Sequence, residues 1–268
     1  MSITAKVVAH SRVAGAPDLI TLQCRYPRFI HAEFMTHRVF SRNASSSRAI
    51  PIERMIQDVI DNPAMPVAWG SNKPGMQAGE ELGEVEAREA KQIWLLARNL
   101  AVDQARSMVG LNAHKQIVNR LLEPFGHISV VVTATEWDNF FALRCHPDAD
   151  PTMRALAEAM RDAIAASVPA DQSNWHLPYI SETEQSQPLR WMDLAMISAA
   201  RCARVSYLNH DGSNPDIGKD LALAKRLFES KHMSPFEHQA RATGDEGTAL
   251  WGNFVGWDQH RKMIEIGA

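Results

Sequence analysis

The chain has 268 residues, of which 45% are hydrophobic and 22% are charged, an ordinary composition for a globular protein. Its 28 basic and 31 acidic residues give a net charge of −3, so the whole surface is unsuited to a polyanion and any basic site must be local. The sequence has no apolar run long enough for a transmembrane helix, and its first six residues lack a signal-peptide pattern. We therefore expect no membrane attachment.

The cysteines and histidines argue against a metal site. Cys24, Cys145 and Cys202 are widely spaced, which predicts a reducing, cytoplasmic location with neither disulfides nor a thiolate metal site. The eleven histidines show no HxxxH or HExxH spacing, so no metal is predicted. Cys145 lies between Arg144 and His146 and could be a nucleophile, but a spectator thiol is the simpler interpretation.

The first elements in chain order are two strands, at residues 3–9 and 18–26, where apolar and polar residues alternate in the second. Residues 29–35 fall close to helical spacing. A short helix is predicted over 52–60, and a loop rich in Gly, Asn, Lys and Pro over 70–79.

A long helix is predicted over 85–109, with Gly110 as its stop. Asn112 is expected to cap a second helix, and residues 128–132 form an apolar, β-branched strand. Thr133 and Glu136 fit a capping box for the next helix. The apolar face of the long helix consists of Ile93, Leu96, Ala97, Leu100, Ala101 and Met108.

The second half begins with a helix opened by Asp150-Pro151. Residues 169–190 are polar with little periodicity and are interpreted as a linker, followed by helices over 191–205 and 217–231. We expect an α+β fold in one catalytic domain, residues 1–268, with a small, mostly antiparallel sheet flanked by long helices and a helical sub-layer over 85–125.

Residues 36–48 form the most informative stretch, which we call the signature segment. It holds three arginines, one histidine, four serines and one asparagine, and it follows an apolar, helix-like stretch. Arginine presents a rigid fork of donors that suits phosphate and the edge of a planar heterocycle. Loops set on a rigid element often carry function, so this segment is the candidate site.

The spacing His-Arg-x-x-Ser-x-Asn-x-x-Ser-x-Arg resembles the signature of flavin-dependent thymidylate synthases. Three positions depart from the family: Thr36 replaces an Arg, Ala44 a Glu and Ala49 a Tyr. The matching residues are His37, Arg38, Ser41, Asn43, Ser46 and Arg48.

Residues 119–124, 139–144, 203–207 and 234–238 are similar to further elements of the same family. In the family the last two elements precede the signature, whereas here they follow it. The chain therefore resembles a circularly permuted member in which the predicted linker joins the old termini, with duplication followed by loss as an alternative.

The resemblance implies transfer of a one-carbon unit from methylenetetrahydrofolate to C5 of dUMP, with FAD as cofactor, NADPH as reductant, and a homotetramer with FAD at its interfaces. It implies no nucleic-acid partner. The catalytic residues would be Arg144, Ser46 and Arg48. The residues that bind substrate would be Glu33, Ser46, Ser47, Arg48, Arg120 and Arg144. The residues that bind cofactor would be His37, Arg38, Val39, Asn43, Asn139, Ser206 and His238.

Several alternatives stay open. The three departures could favour a related hydroxymethylase acting on dUMP or dCMP, or a paralogue that binds no flavin. The signature segment could instead clamp the phosphates of RNA or DNA, although the net charge opposes this. Residues 253–261 are faintly similar to a family stretch, so Gln259 or Arg261 could replace missing groups, or the tail could be an anchor packed through Trp251 and Trp257.

Overall fold

Two β-sheets and the helices around them make up a computed structural model that describes residues 3–171, 175–209, 212–243 and 250–267. The strands are β1 (Thr4–Arg12), β2 (Leu19–Pro27), β3 (Ser41–Ala44), β4 (His127–Ala134), β5 (Ala170–Asp171), β6 (Trp175–His176), β7 (Ala240–Ala242) and β8 (Trp257–Gln259). The helices are α1 (His31–Phe34), α2 (Ile52–Asp61), α3 (Glu84–Gly110), α4 (Lys115–Leu122), α5 (Asp138–Arg144), α6 (Pro151–Ala165), α7 (Glu182–Gln185), α8 (Trp191–Arg204), α9 (Ile217–Glu229) and α10 (His260–Ile266).

The larger sheet has the strand order β3-β4-β2-β1-β5 and is antiparallel except for the β1–β5 pair. Side chains alternate along β2, so Leu22 and Tyr26 face an apolar core that includes Phe34, Phe140 and Met160. The predicted α+β class, with a small and mostly antiparallel sheet flanked by helices, is confirmed.

The other face of this sheet carries Thr21 and Thr133 beside the apolar Leu19 and Val131, and it packs against the smaller antiparallel sheet β6-β7-β8. Five buried side chains connect the two sheets, and we call them the polar layer: Ser11, His176, Thr21, Thr133 and His238. The contacts along this chain measure 2.8, 2.7, 2.7 and 2.8 Å in that order. The sheets are therefore joined by hydrogen bonds as well as by apolar contacts.

Helices α2, α3 and α4 pack together beside the large sheet, around Met55, Val102, Ala105 and Val118. This packing covers only part of the predicted apolar face of α3, namely Ala101 and Met108. Ile93, Leu96 and Leu100 are 66%, 62% and 60% exposed. The reason is that α3 packs through its C-terminal half, where Val102 and Ala105 are buried beside the predicted face, and this leaves Ile93, Leu96 and Leu100 uncovered by the described residues.

Two predicted caps are wrong. Asn112 adopts a left-handed conformation with φ of 59° after α3, and α4 begins later, where His114 Nδ1 accepts a hydrogen bond from Gln116 N at 3.3 Å. Thr133 belongs to β4, and its hydroxyl serves the polar layer instead of capping α5. By contrast, Asp150 caps α6 as predicted, accepting from the first backbone amides at 2.9 Å.

Residues 169–190, predicted as a linker, carry β5, β6 and α7 within their described part. Trp175 and Tyr179 are buried, and Glu184 of α7 pairs with the buried Arg201 of α8 at 2.6 Å. The C-terminal tail likewise forms β8 and α10, and Trp257 is fully buried. None of the helices in the described ranges combines the length and apolarity that crossing a bilayer requires.

Candidate functional site

The signature segment runs along one edge of the large sheet. Among the described residues β3 pairs with β4 alone, with Ser41 opposite Thr133 and Asn43 opposite Val131. A single 3₁₀ turn, Ser47–Ala49, then turns the chain towards α2. An edge strand leaves one side open to other segments of the chain. Three groups of residues contact the signature segment, one at its start, one at its end and one at β3.

The first group joins Arg144 at the end of α5 to the start of the signature segment. Arg144 Nε donates to His37 Nε2 at 2.9 Å, and Arg144 Nη1 forms a short ion pair with Glu33. His37 is 8% exposed and packs edge-on against Phe140, with ring centroids 4.8 Å apart. Burial, followed by the charges of Arg144 and Arg42, lowers the pKa of His37, so the neutral ring accepts this hydrogen bond.

Arg144 also lines a cavity of about 450 Å³ at the end of α5. Its other lining residues are Ala142, Leu143, His146, Asp148 and Ala149. Three residues predicted for the site, Glu33, His37 and Arg144, therefore lie in direct contact at the edge of an accessible space. Cys145 next to them is a half-buried free thiol, and burial raises its pKa, which disfavours the thiolate that a nucleophile needs.

The second group holds the other end of the signature segment. Ser47 Oγ donates to Glu123 at 2.6 Å, and Asn119 Nδ2 donates to the Ser47 carbonyl at 2.7 Å. Arg120 approaches Glu123 at 3.4 Å from the exposed face of α4. Ser46 and Arg48 are exposed on either side of Ser47, and Arg120 is exposed on α4, which packs against this turn.

The third group comes from the C-terminal half of the chain. Asn43 Nδ2 donates to the Cys202 carbonyl at 2.9 Å, and Ser234 Oγ donates to Asn43 Oδ1 at 3.0 Å. Val205 ends α8 in a left-handed conformation, after which Ser206 lies half-buried. The two late elements of the resemblance are thus in contact with the signature segment although they follow it by about 160 residues or more.

Not every predicted residue joins these groups. His238 is fully buried and lies 2.8 Å from Thr133 in the polar layer, beneath the signature segment instead of on its surface. Asn139 is exposed in the first turn of α5, and the hydrogen bonds of the described residues do not connect it with the signature segment. Arg38 and Val39 are exposed at the turn before β3.

Sequence reasoning missed several residues that shape the site. Glu123 and Asn119 lie in a segment that resembles the family, but only Arg120 of that segment was assigned a role. Asn253 contacts the signature segment from the tail, as does Gln259, which the sequence indicated only as a replacement for a missing group. Their signal was the faint similarity of residues 253–261 to a family stretch. No group of three or more potential metal-ligating side chains occurs within the part of the chain that the structure describes.

Comparison with known protein families identifies the family to which this chain is similar. A family model described as "Thymidylate synthase complementing protein" matches residues 9–170, more than half of the chain. A search of curated proteins finds no match. The matched range includes the signature segment and Arg144, and it excludes the late elements and the tail.

Two solved structures illustrate the structural similarity. The UMP/dUMP methylase PolB from Streptomyces cacaoi, bound with 5-Br UMP, is 17% identical over 61% of this chain and 88% of that chain, with a TM-score of 0.48. Thymidylate Synthase X (ThyX) from Helicobacter pylori with FAD and dUMP is 18% identical over 55% and 67%, with a TM-score of 0.38. Similarity at this level adds no argument of its own, so the assignment rests on the family match, which confirms the resemblance: the chain belongs to the family of thymidylate synthase complementing proteins.

Proposed function

We propose that this protein is a flavin-dependent thymidylate synthase, which transfers a one-carbon unit from methylenetetrahydrofolate to C5 of dUMP and gives dTMP. The observation that carries the proposal is the contact of Arg144 with His37 and Glu33. It joins two elements of the family signature that are more than a hundred residues apart in the sequence.

Arg144 is suited to the pyrimidine end of the substrate. Its guanidinium has five N–H donors, and His37 and Glu33 each take one, which leaves three for a ligand. Glu33 and His37 also fix the plane of the guanidinium. A uracil carbonyl placed against it would be stabilised in the enolate-like form that makes C5 nucleophilic, because that form carries negative charge on oxygen.

The phosphate of the nucleotide fits the surface formed by Ser46, Arg48 and Arg120. Arg48 and Arg120 provide charge-assisted donors, and Ser46 provides an exposed hydroxyl. Lys115 donates to the Ala49 carbonyl at 3.2 Å and adds a further positive charge nearby. This local basic surface forms on a chain whose net charge is −3.

The residues present also fit a flavin dinucleotide. Arg38 is exposed, Asn43 contacts the end of α8, and Ser206 follows that helix. Arg204 at the end of α8 is half-buried and pairs with Asp220, and its buried Nε and Nη2 have no hydrogen-bond partner in the described residues. Unused donors of this kind suit the carbonyl and phosphate oxygens of FAD. We propose that Arg38, Val39, Asn43, Asn139 and Ser206 bind it.

The protein's own part in the reaction is to orient the reactants and to stabilise charge. When bound, FAD would supply the reducing equivalents, with methylenetetrahydrofolate as carbon donor and NADPH as the source of electrons. Arg144 would hold the uracil carbonyl edge, while Arg48 and Arg120 hold the phosphate. His238 would act from below, through the polar layer, without touching a ligand.

An absorbance spectrum of the purified protein, repeated with dUMP added, is the first test. We expect the bands of an oxidised flavin and a change in them when dUMP binds. Incubation with dUMP, methylenetetrahydrofolate and NADPH should then give a product with the mass of dTMP. A colourless protein that does not take up added FAD would contradict the proposal.

A hydroxymethylase is the second candidate, and one observation favours it. Thr36 stands where the family has an arginine, and its hydroxyl donates to the Glu33 carbonyl at 2.7 Å. It therefore leaves the site with one guanidinium fewer. The same incubation with dUMP and with dCMP decides between the candidates, because a hydroxymethyl product is heavier than a methyl product by one oxygen.

We also propose a homotetramer of single-domain, circularly permuted subunits in the cytoplasm. The exposed stripe Ile93, Leu96 and Leu100 on α3 supports an oligomer, because large apolar patches on soluble proteins commonly mark interfaces. The bonds from Asn43 to α8 and to Ser234 support the permuted order. The mass of the particle in solution tests the first of these proposals.

A further inference from the structure

The C-terminal segment, residues 250–267, lies outside the range that the family model matches, yet its side chains reach the signature segment. Asn253 Nδ2 donates to the Val39 carbonyl at 2.7 Å, and Ser41 Oγ donates to Asn253 Oδ1 at 3.0 Å. One amide group thus fixes the backbone before β3 and the first side chain of β3.

Gln259 completes this arrangement from β8. Its Nε2 lies 2.9 Å from Asn253 Oδ1, 3.2 Å from Ser41 Oγ and 3.3 Å from the Glu237 carbonyl. Ser41, Asn253 and Gln259 therefore form a closed triangle of hydrogen bonds. Gly252 shapes the loop around it, since its φ is +61° and a Cβ there would lie 2.6 Å from Gln259 Oε1.

The turn that this triangle holds has weak bonds of its own. The backbone hydrogen bonds from His37 N to the Phe34 carbonyl and from Phe40 N to the His37 carbonyl are both 3.4 Å long. Bonds of this length are well beyond the usual distance of about 2.9 Å. The 2.7 Å contact from Asn253 is therefore the stronger restraint on Val39 and on the exposed residues beside it.

We propose that Asn253 and Gln259 are positioning residues, which hold the turn at Val39 and the start of β3 in the conformation that binds the flavin. Gln259 is only 3% exposed, so it acts through Ser41 and Asn253 and does not replace the guanidinium missing at Thr36. Arg261 does not replace it either, because it pairs with Glu237 and Glu265. The flavin part of this inference rests on the proposed function.

The test compares Asn253→Ala with Trp257→Phe in the full-length protein. Trp257→Phe is the matched control, because it removes a hydrogen bond of the tail, 2.9 Å from Nε1 to the Pro17 carbonyl, that does not involve the signature segment. Hydrogen exchange should be at least fivefold faster for the amides of residues 37–41 in Asn253→Ala, and unchanged there in Trp257→Phe. The dissociation constant for FAD should rise about tenfold in Asn253→Ala alone, equivalent to about 1.4 kcal/mol.

Asn253→Asp provides a second measurement. It keeps the acceptor for Ser41 and loses the donor to the Val39 carbonyl, so exchange should rise at residues 37–40 while β3 stays protected. Equal exchange at residues 37–41 in Asn253→Ala and Trp257→Phe would overturn the inference. A wild-type protein that binds no FAD would contradict the proposed function instead, and the exchange comparison would still decide the role of the tail.

Discussion

Mild acid should destabilise this protein through histidines that are buried without charge. Burial lowers the pKa of His176 and His238 to about 3 and that of His260 to about 4. His260 is the simplest case. Both of its ring nitrogens are buried without a hydrogen-bond partner in the described residues, and its ring lies 6.0 Å from Trp175 and 5.9 Å from Phe236.

The expected loss of stability follows from proton linkage. In the unfolded chain each histidine binds a proton with its ordinary pKa of about 6.5, whereas the folded chain does not until the pH approaches 3 to 4. The free energy of unfolding therefore keeps the full contribution of these neutral histidines above about pH 6.5, and it loses that contribution as the pH falls below 6.5. At pH 5 each histidine removes about 2 kcal/mol relative to pH 8, and the three together about 6 kcal/mol. That loss is comparable to the whole stability of many domains.

His260→Phe isolates one of the three contributions, since phenylalanine fits the aromatic surroundings and does not titrate. The assay is urea unfolding of wild type and variant at pH 8 and pH 5. Between these pH values the variant should lose about 2 kcal/mol less than wild type. Carboxylates titrate equally in both proteins and cancel in the comparison. His232→Gln, at an exposed position, is the control and should behave as wild type. An equal loss in His260→Phe and wild type would refute the reasoning.

Three further changes test the proposed site and the assembly. Arg144→Lys should lower kcat/KM for dUMP at least a hundredfold, about 2.7 kcal/mol, because lysine lacks the planar fork that holds both His37 and Glu33. Initial rates measure this effect, and circular dichroism is the folding control. Arg120→Ala should raise KM for dUMP about tenfold at constant kcat, and a lower kcat would contradict a role limited to the phosphate. Leu100→Glu should reduce the particle mass in light scattering, because a charge opposes burial of the exposed stripe; an unchanged mass would exclude that interface.

The sequence predicts those elements of the fold whose reasons are local. The strand predicted over 18–26 is β2, because its alternation matches one apolar and one polar face. The helix opened by Asp150-Pro151 is α6, because both cap and proline act within one turn. The small sheet could not be predicted in this way, since β6, β7 and β8 have only two or three residues and no periodicity to detect.

Two predictions failed because long-range contacts outweighed local patterns. Thr133 matches a capping box, but its hydroxyl is needed between Thr21 and His238 in the polar layer. The stripe on α3 correctly identifies an apolar face, yet periodicity cannot say whether that face meets the same chain. In this structure Ile93, Leu96 and Leu100 are exposed, which is why we propose that another subunit covers them.

In the candidate site, too, the sequence predicts some residues but not the long-range contacts that hold them. The resemblance named Glu33, His37 and Arg144, and the structure places them in contact. It could not reveal how the turn at Val39 and the start of β3 are held, because Asn253 and Gln259 act through a loop whose shape depends on the left-handed Gly252. Hydrogen bonds between segments that are about 210 residues apart leave no local pattern in the sequence.

The neighbours Ser46 and Ser47 have different expected roles. Ser46 would bind the phosphate of the ligand, whereas Ser47 stabilises the signature segment. Ser46 is exposed, whereas Ser47 is 3% exposed and donates to Glu123 at 2.6 Å. Ser47→Ala should therefore lower the free energy of unfolding by about 1 to 2 kcal/mol, because the half-buried carboxylate of Glu123 loses a hydrogen bond. Ser46→Ala should leave that free energy unchanged within about 0.5 kcal/mol and weaken dUMP binding about tenfold.

Urea unfolding and titration with dUMP measure the two effects on the same preparations. Because the residues are neighbours of the same type, the pair controls for the chemistry of the substitution. The expected pattern is a loss of stability in one variant and a loss of affinity without loss of stability in the other. If Ser46→Ala binds dUMP as wild type does, the phosphate does not lie where Ser46, Arg48 and Arg120 meet, and the proposed orientation of the nucleotide between that surface and Arg144 is wrong.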